Sequence, residues 1–263
     1  MSKLGTTKYA YALIATNLKA MVALRGAFFL QAFFMLANNL IFFTIWWIFF
    51  SKFEEIRGWK FEDMFLLFGI ATISIGLANV VAGGVRHLAR IIVDGELDSY
   101  LTLPKNPIVR AAASRMEAMG WGDMASGVIF FAFSGAVTWT NLPIIAACII
   151  CGAVFFAAAV IMFESLAFWL GPMEDLARWF REFLITFAIY PSSMFSGWVK
   201  VVLFTLLPAG FISYLPVEII RDQSWEAAGW LALGVVIYSA ACMGVFKLGI
   251  KRYESGNRFG VHA

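Results

Sequence analysis

Four polar side chains interrupt long apolar stretches of the sequence, and they are the first candidates for chemistry. Asn38 and Asn39 are adjacent in the uncharged run 26–50, and Asn79 and Glu164 lie in two later apolar runs. A polar group inside a membrane is costly unless it has a partner, and such residues often line the route of a substrate or an ion. We interpret all four as candidate residues of a substrate path.

Each of these residues also has a purely structural interpretation. Neighbouring positions of an α-helix point about 100° apart, so one of the two adjacent amides can face a dimer seam while the other hydrogen-bonds to a neighbouring helix, for about 0.6–2 kcal/mol. Glu164 lies near the end of its apolar run, with Arg178 and Arg181 following in the sequence. It therefore either binds a cationic group or forms an ion pair with one of these arginines.

The sequence lacks the residues that catalysis by this chain alone would need. It contains two histidines, His87 and His262, and no G-x-x-x-x-G-K-[ST] motif for binding nucleotide phosphates. Cys148 and Cys151 have C-x-x-C spacing, but they lie in an apolar run without further ligands, which favours small packing residues over redox or metal chemistry. We therefore predict no catalytic residue, no metal site and no nucleic-acid binding in this chain.

The composition defines the class of protein that must position these residues. Of the 263 residues, 61% are hydrophobic and 14% are charged, against roughly 45–50% and about 25% in soluble domains. Together with a mean hydropathy of +0.80, these values exclude a soluble globular domain, a disordered chain and a disulfide scaffold. An all-α integral membrane protein remains, and at about 20 apolar residues per crossing its length suits six transmembrane helices.

Apolar runs and the residues that break them divide this single transmembrane domain into segments. The first 25 residues are basic and amphipathic, which is typical of a helix on the membrane surface. Pro191, Pro208 and Pro216 interrupt the chain before the last run, so we expect broken, re-entrant helices there. The predicted segments are an interfacial helix at 1–25, spans at 26–50, 64–85, 121–139, 144–170, 178–198 and 227–250, a re-entrant region at 199–220 and a tail at 251–263.

The positive charges predict the orientation of these spans. With six spans both termini lie on the same side of the membrane, and 15 of the 20 Lys and Arg residues fall on that side. Cytoplasmic loops carry the excess of Lys and Arg in membrane proteins. We therefore predict that both termini and the loop 86–116 are cytoplasmic.

That loop is the most informative cytoplasmic segment. Gly95 suits the end of a surface helix. The short element after it carries apolar side chains on one side and acidic residues beside them, namely Leu97, Leu101 and Pro104 with Glu96 and Asp98. An apolar cluster with a charged rim indicates contact with another protein. The alternative is a solvated loop whose leucines fold back against the bilayer.

The stretch from Gly95 to Pro107, G-E-L-D-S-Y-L-T-L-P-K-N-P, resembles a signature of ABC-2 type permeases, the membrane subunits of ATP-driven exporters. Members of that family show G-x-[LF]-D-x-x-L-x-x-P after the second span. A second match runs from Tyr190-Pro191 through Leu207-Pro208-Ala209 to Tyr214-Leu215-Pro216. The resemblance covers nearly the whole chain, and it implies six spans, an N-terminal interfacial helix and a re-entrant pair of helices before the last span.

The resemblance also implies a function, an export permease of a prokaryotic inner membrane. Such permeases dimerise, with a second copy or a related permease, and sit on two copies of a cytoplasmic ATPase, which holds the ATP and Mg²⁺. The loop between spans two and three usually supplies a short helix that docks on the ATPase. By this resemblance the ATPase-coupling region comprises Arg86, Arg90, Gly95, Glu96, Leu97, Asp98, Leu101 and Pro104. The chain itself is then not an enzyme, binds no cofactor and moves an amphipathic or hydrophobic substrate.

Two other classes of function stay open at the level of sequence. An integral membrane enzyme acting on lipids would need His, Asp or Glu residues clustered at one membrane face, and the sequence shows no such cluster. A membrane scaffold without transport activity would need none of these residues.

Overall fold

The described part of the chain folds into helices and the turns between them. The computed structural model describes residues 6–102 and 106–253, with 81% helix, and this confirms the predicted all-α class. The α-helices are α1 (Thr6–Ala23), α2 (Arg25–Phe50), α3 (Phe61–Ala82), α4 (Leu88–Val93), α5 (Leu97–Leu101), α6 (Pro107–Ala113), α7 (Met119–Ser134), α8 (Leu142–Glu164), α9 (Ala167–Leu170), α10 (Glu174–Ala188), α11 (Trp198–Phe204), α12 (Leu215–Asp222) and α13 (Trp225–Arg252). Two 3₁₀ turns (Gly83–His87 and Ser192–Met194) and one π-helical turn (Gly210–Tyr214) lie between them.

Four helical segments within the described residues are long and apolar enough to cross a membrane. They are Arg25–Phe50, Phe61–Val93, Leu142–Leu170 and Trp225–Arg252. They overlap the spans predicted at 26–50, 64–85, 144–170 and 227–250. The chain is therefore a multi-pass membrane protein, because all four segments have the length and hydropathy of a crossing and two of them, Arg25–Phe50 and Trp225–Arg252, leave large apolar faces exposed.

The other two predicted spans correspond to shorter helices. Helix α7 ends at Ser134 rather than at residue 139, because Gly135 turns the chain with a φ of +64°. Helix α10 covers part of 178–198, but it begins at Glu174, ends at Ala188 and carries charged residues. At 1.5 Å per residue these helices of 16 and 15 residues are about 24 Å long or less, so the count of six spans stays a prediction.

Helix α3 is the central element of the bundle. It packs against α7 on one side and α8 on the other, while α2 lies against α7 and α13 against α8. Three aromatic rings fill the junction of α2, α3 and α7: Phe43, Phe68 and Phe130 have centroids 4.7–5.4 Å apart. The large side chains thus meet at one level of the bundle, and small residues bring the helices together elsewhere.

Glycines set the distance between α7 and its neighbours. A Cβ atom at Gly122 would lie 2.2 Å from the carbonyl oxygen of Ala32 in α2. One at Gly120 would lie 2.7 Å from the carbonyl oxygen of Gly76 in α3. Lipid tails are as apolar as leucine, so helices in a membrane associate through close van der Waals packing, which small residues permit.

The segment between α10 and α13 is folded from short pieces. Pro191, Pro208 and Pro216 are all buried there. The Ser213 hydroxyl donates to the Ala188 carbonyl over 2.7 Å, and the Tyr214 hydroxyl donates to the Phe187 carbonyl. These bonds hold the π-helical turn against the end of α10. Pro191 and Pro208 therefore lie between helices, as the sequence predicts, whereas Pro216 lies in the first turn of α12, directly after the π-helical turn. Re-entry into the membrane stays a prediction.

The glycine contact between α2 and α7 is testable by adding a single methyl group. We expect Gly122→Ala to lower the free energy of unfolding by about 1–3 kcal/mol, since the added Cβ must displace backbone. The matched control is Gly229→Ala, where a Cβ meets nothing within 4 Å. Thermal unfolding midpoints of the purified variants in detergent measure the difference, and equal midpoints for the two variants would contradict this packing.

Candidate functional site

A buried polar cluster connects α2 to α7 inside the bundle. The Asn39 amide nitrogen donates to Asp123 Oδ1 and to Ser126 Oγ, both over 2.9 Å. The Ser126 hydroxyl in turn donates to the Asp123 carbonyl over 2.8 Å. All three side chains are buried. Asn39 therefore has the interhelical hydrogen bonds that its structural interpretation requires.

Asp123 is the acidic member of this cluster. The residue is 2% exposed, and the side chains of Asn39 and Asn79 both lie within hydrogen-bonding reach of its carboxyl group. Asn79 is buried at the same contact between α3 and α7, next to Gly120. A carboxyl group among apolar helices is costly without partners, so this position depends on the two amides around it.

The other amide of the pair points away from the bundle. Asn38 is exposed on the outer surface of α2, whereas Asn39 is buried against α7. The two side chains therefore diverge as the helical geometry predicts. Asn38 is the one of the four candidate path residues that lies on an outer surface, because Asn39, Asn79 and Glu164 are all buried.

Glu164 forms an ion pair with Arg181. Arg181 Nη1 donates to Glu164 Oε1 over 3.1 Å, and both side chains are more than nine-tenths buried. The second carboxylate oxygen, Oε2, accepts the backbone N–H of Ala89 over 3.0 Å. Arg178, the other arginine considered from the sequence, pairs instead with Asp175 at the surface. Glu164 thus joins three helices, α4, α8 and α10.

The bond from Glu164 to Ala89 anchors the region predicted to couple to an ATPase. Helix α4 buries Leu88, Ala89, Ile91 and Ile92 against the bundle. Gly95, with a φ of +76°, then turns the chain into α5. Leu97, at the start of α5, is fully buried, so it stabilises the segment from within instead of lying on its surface. Pro104 falls outside the described residues.

The remaining residues of the coupling region lie towards its outer side. Arg90, Glu96 and Leu101 are exposed, while Arg86 and Asp98 are half-buried. The Arg90 guanidinium lies 3.5 Å from the Asp94 carboxylate one helical turn away. This exposed side of α4 and α5 carries charges of both signs around one leucine, which is a surface suited to another protein.

Arg110 of α6 supports α5 from the next helix. Its Nη1 atom donates to the carbonyl of Ser99 over 3.0 Å and to that of Tyr100 over 2.6 Å, and its guanidinium lies 5.1 Å from the centre of the Tyr100 ring. A cation at these last carbonyls is favourable because they carry the negative end of the helix dipole. The coupling region is thus braced by α6 as well as by Glu164.

A second polar pair lies between the 3₁₀ turn after α3 and the residues just before α7. His87 Nε2 is 3.3 Å from Glu117 Oε1. This hydrogen bond and the nearby Arg86 hold the pKa of Glu117 below its ordinary value, against the opposing effect of burial. Glu117 is therefore an anion at neutral pH, with a histidine and an arginine around it.

Asp123 is the functional candidate that the sequence interpretation did not include. It lies only two residues inside the predicted span 121–139, where a carboxylate is easily attributed to the membrane surface. The sequence does contain an indication of a polar face on α7, because Asp123 and Ser126 are spaced i, i+3 and so lie on the same side of the helix. The pairing of that face with Asn39 depends on tertiary contacts alone.

The described helices define the class of this protein. It is a polytopic membrane protein with buried polar contacts between its helices and an anchored loop at one end. A family model described as "ABC-2 family transporter protein" matches residues 17–257. The chain therefore belongs to the ABC-2 family, as the resemblance of its two motifs predicts, and it is a membrane component of a transporter. No curated protein and no solved structure matches the chain.

Replacing Asp123 separates the role of its charge from that of its hydrogen bonds. We expect Asp123→Asn to keep the unfolding midpoint within error, because the amide oxygen still accepts from Asn39. Asp123→Leu has a similar volume but removes one of the two acceptors of the Asn39 amide, the other being Ser126 Oγ, and we expect this loss to cost about 1–3 kcal/mol. Thermal unfolding in detergent distinguishes the two outcomes. Equal destabilisation by both variants would show that the carboxyl group itself is required.

Proposed function

We propose that this chain is the permease subunit of an ABC exporter that moves an amphipathic or hydrophobic substrate, driven by ATP hydrolysis on a separate cytoplasmic ATPase. ABC-2 permeases generally pair with ATPase subunits and form dimers. In this proposal two permease chains, either identical or related, sit on an ATPase dimer that binds ATP and Mg²⁺. Both termini and the coupling region are cytoplasmic, in a prokaryotic inner membrane.

The anchoring of the coupling region by Glu164 is the observation that supports this proposal most directly. A loop that transmits movement must be exposed to its partner on one side and fixed to the transmembrane helices on the other. The inner side is fixed by the Ala89–Glu164–Arg181 contacts and by buried Leu97. The outer side presents Arg90, and rigid connections of this kind carry coupling between sites.

Asn38 supports a dimer with a substrate route near its seam. An exposed amide in the middle of a span gains little from lipid, whereas a facing chain or a polar substrate group can hydrogen-bond to it. The outer face of α2 around it is largely apolar and exposed. We therefore assign Asn38 to the seam and the route, with Asn39, Asn79 and Glu164 contributing to the support of the surrounding helices.

Six spans follow in this proposal if α7 and α10 both cross the membrane. Helix α7 is short, but Trp139 beyond its end is 91% exposed, as an aromatic residue at the membrane interface would be. Helix α10 is charged at its beginning and becomes apolar after Glu182. The re-entrant region predicted at 199–220 then follows before α13 crosses back.

Coupling is testable at the exposed side of α4 and α5. We expect Arg90→Glu and Leu101→Glu to reduce recovery of ATPase subunits with the tagged permease by about tenfold or more, the loss typical of a central interface residue. Substrate-stimulated ATP hydrolysis by the reconstituted complex should fall with it. Quantitative mass spectrometry of the purified complex and a phosphate-release assay measure both effects.

The matched control for this test is Arg178→Glu. Its side chain is 62% exposed, as is that of Arg90, and each arginine lies beside an aspartate on its own helix. The control should therefore change the surface charge by the same amount without affecting the ATPase. If Arg90→Glu and Leu101→Glu bind and stimulate the ATPase as well as Arg178→Glu does, the assigned coupling surface is wrong.

The six-span topology is testable by labelling cysteines introduced at exposed positions. In a variant with Cys148, Cys151 and Cys242 replaced by alanine, we expect Thr140→Cys to react with a membrane-impermeant maleimide in intact cells. Asp175→Cys should react only after the cells are permeabilised, because α8 separates the two positions. The reverse pattern would contradict the proposed placement of residue 140 outside and residue 175 in the cytoplasm.

A further inference from the structure

A cavity of about 490 Å³ lies between α1, the start of α2 and the loop that leads into α7. This volume falls in the range of small-molecule binding sites, roughly 300–1,000 Å³. The Asn17 amide of α1 donates to the Ala113 carbonyl at the end of α6 over 2.8 Å. That contact holds α1 across the cavity as one of its walls.

One part of the cavity lining is polar, and a second arginine, Arg86, lies close to it without lining the cavity itself. Arg115, His87 and Glu117 all line the cavity. His87 donates to or accepts from Glu117 over 3.3 Å, and Arg86 lies close enough to favour the charged form of that carboxylate. Within the described part of the chain, neither Arg86 nor Arg115 forms an ion pair. Arg115 in the lining and Arg86 near it thus face the single carboxylate of Glu117, and the net positive charge of these three groups favours an anion.

The rest of the lining is apolar and reaches the outside of the protein. Met21, Leu24 and Phe28 form this wall, and Leu24 is 70% exposed. The cavity lies where α2 begins at Arg25 and where the long segment Phe61–Val93 approaches its end. The ends of membrane-crossing helices lie at the level of lipid headgroups. A ligand here therefore meets a cationic region on the aqueous side and an apolar surface towards the bilayer.

We propose that this cavity binds an anionic phospholipid, with its phosphate at Arg115 and the first part of an acyl chain along Met21, Leu24 and Phe28. A guanidinium binds phosphate oxygens through strong, charge-assisted hydrogen bonds. The apolar wall favours a lipid over a soluble anion, because a free phosphate would leave that wall unused. With the proposed orientation, the lipid comes from the cytoplasmic leaflet, whose surface is rich in anionic lipids. The site does not depend on an ATPase partner.

The test uses the full-length permease alone, in nanodiscs with equal amounts of phosphatidylglycerol and phosphatidylcholine. Native mass spectrometry after release of the protein counts the lipids that stay bound. We expect Arg115→Gln to lower the retained phosphatidylglycerol by about tenfold, the loss that accompanies removal of a charged hydrogen-bonding group. Ala27→Phe, which adds a ring to the cavity wall, should lower it as well. The matched control Arg178→Gln removes another exposed arginine, at the surface of α10, and should retain the lipid.

Equal retention by Arg115→Gln, Ala27→Phe and Arg178→Gln would overturn the proposal. Retention of phosphatidylcholine to the same extent as phosphatidylglycerol would also overturn it, because the assigned selectivity for an anion would be absent. Inorganic phosphate, added at the concentration of the lipid, distinguishes the two sources of a phosphate group. Full displacement of phosphatidylglycerol by phosphate would overturn the lipid assignment, and no displacement supports it. Since no ATPase is present, these results are separate from those that test the transport function.

Discussion

A carboxylate buried among membrane helices needs partners inside the protein, and the position of Glu164 depends on having two. One oxygen accepts from the Arg181 guanidinium and the other from the Ala89 backbone N–H. Removing one partner from such a buried pair typically costs about 3–5 kcal/mol, because a charge is left without compensation. The relative positions of α4, α8 and α10 are therefore tied to this single side chain, and so is the region that faces the proposed ATPase.

The remaining helix contacts meet the same constraint in two other ways. Between α2 and α7, the Asn39–Asp123–Ser126 cluster supplies hydrogen bonds where lipid offers none. Close to it, Gly122 lets the two backbones approach within a distance that no Cβ would permit. Polar bonds and close packing thus act at the same interface, as expected where no hydrophobic force drives one helix towards another.

These contacts give the proposed transporter a rigid interior and adaptable outer surfaces. Helices α2 and α13 leave most of their residues exposed in the single chain, and those faces are available to lipid, to a second permease and to a substrate moving between them. Movement of the coupling region would reach α8 and α10 through Glu164 without passing through any loop. The cavity beside α1 borders this connection, because its lining residue His87 lies two residues before Ala89, whose N–H binds Glu164.

The sequence alone determined the class, the family and four of the long spans of this protein. A hydrocarbon layer of fixed thickness demands apolar runs of a minimum length, and the family motif from Gly95 to Pro107 is local in the chain. Tertiary structure alone decided which groups meet. Asp123 lies near a predicted span end, and its partner Asn39 is 84 residues away. The local sequence pattern predicts Leu97 at the surface, whereas the structure buries it fully. Periodicity describes one helix at a time, whereas burial and hydrogen bonding depend on which helices the chain brings together, and that information is distributed over the whole fold.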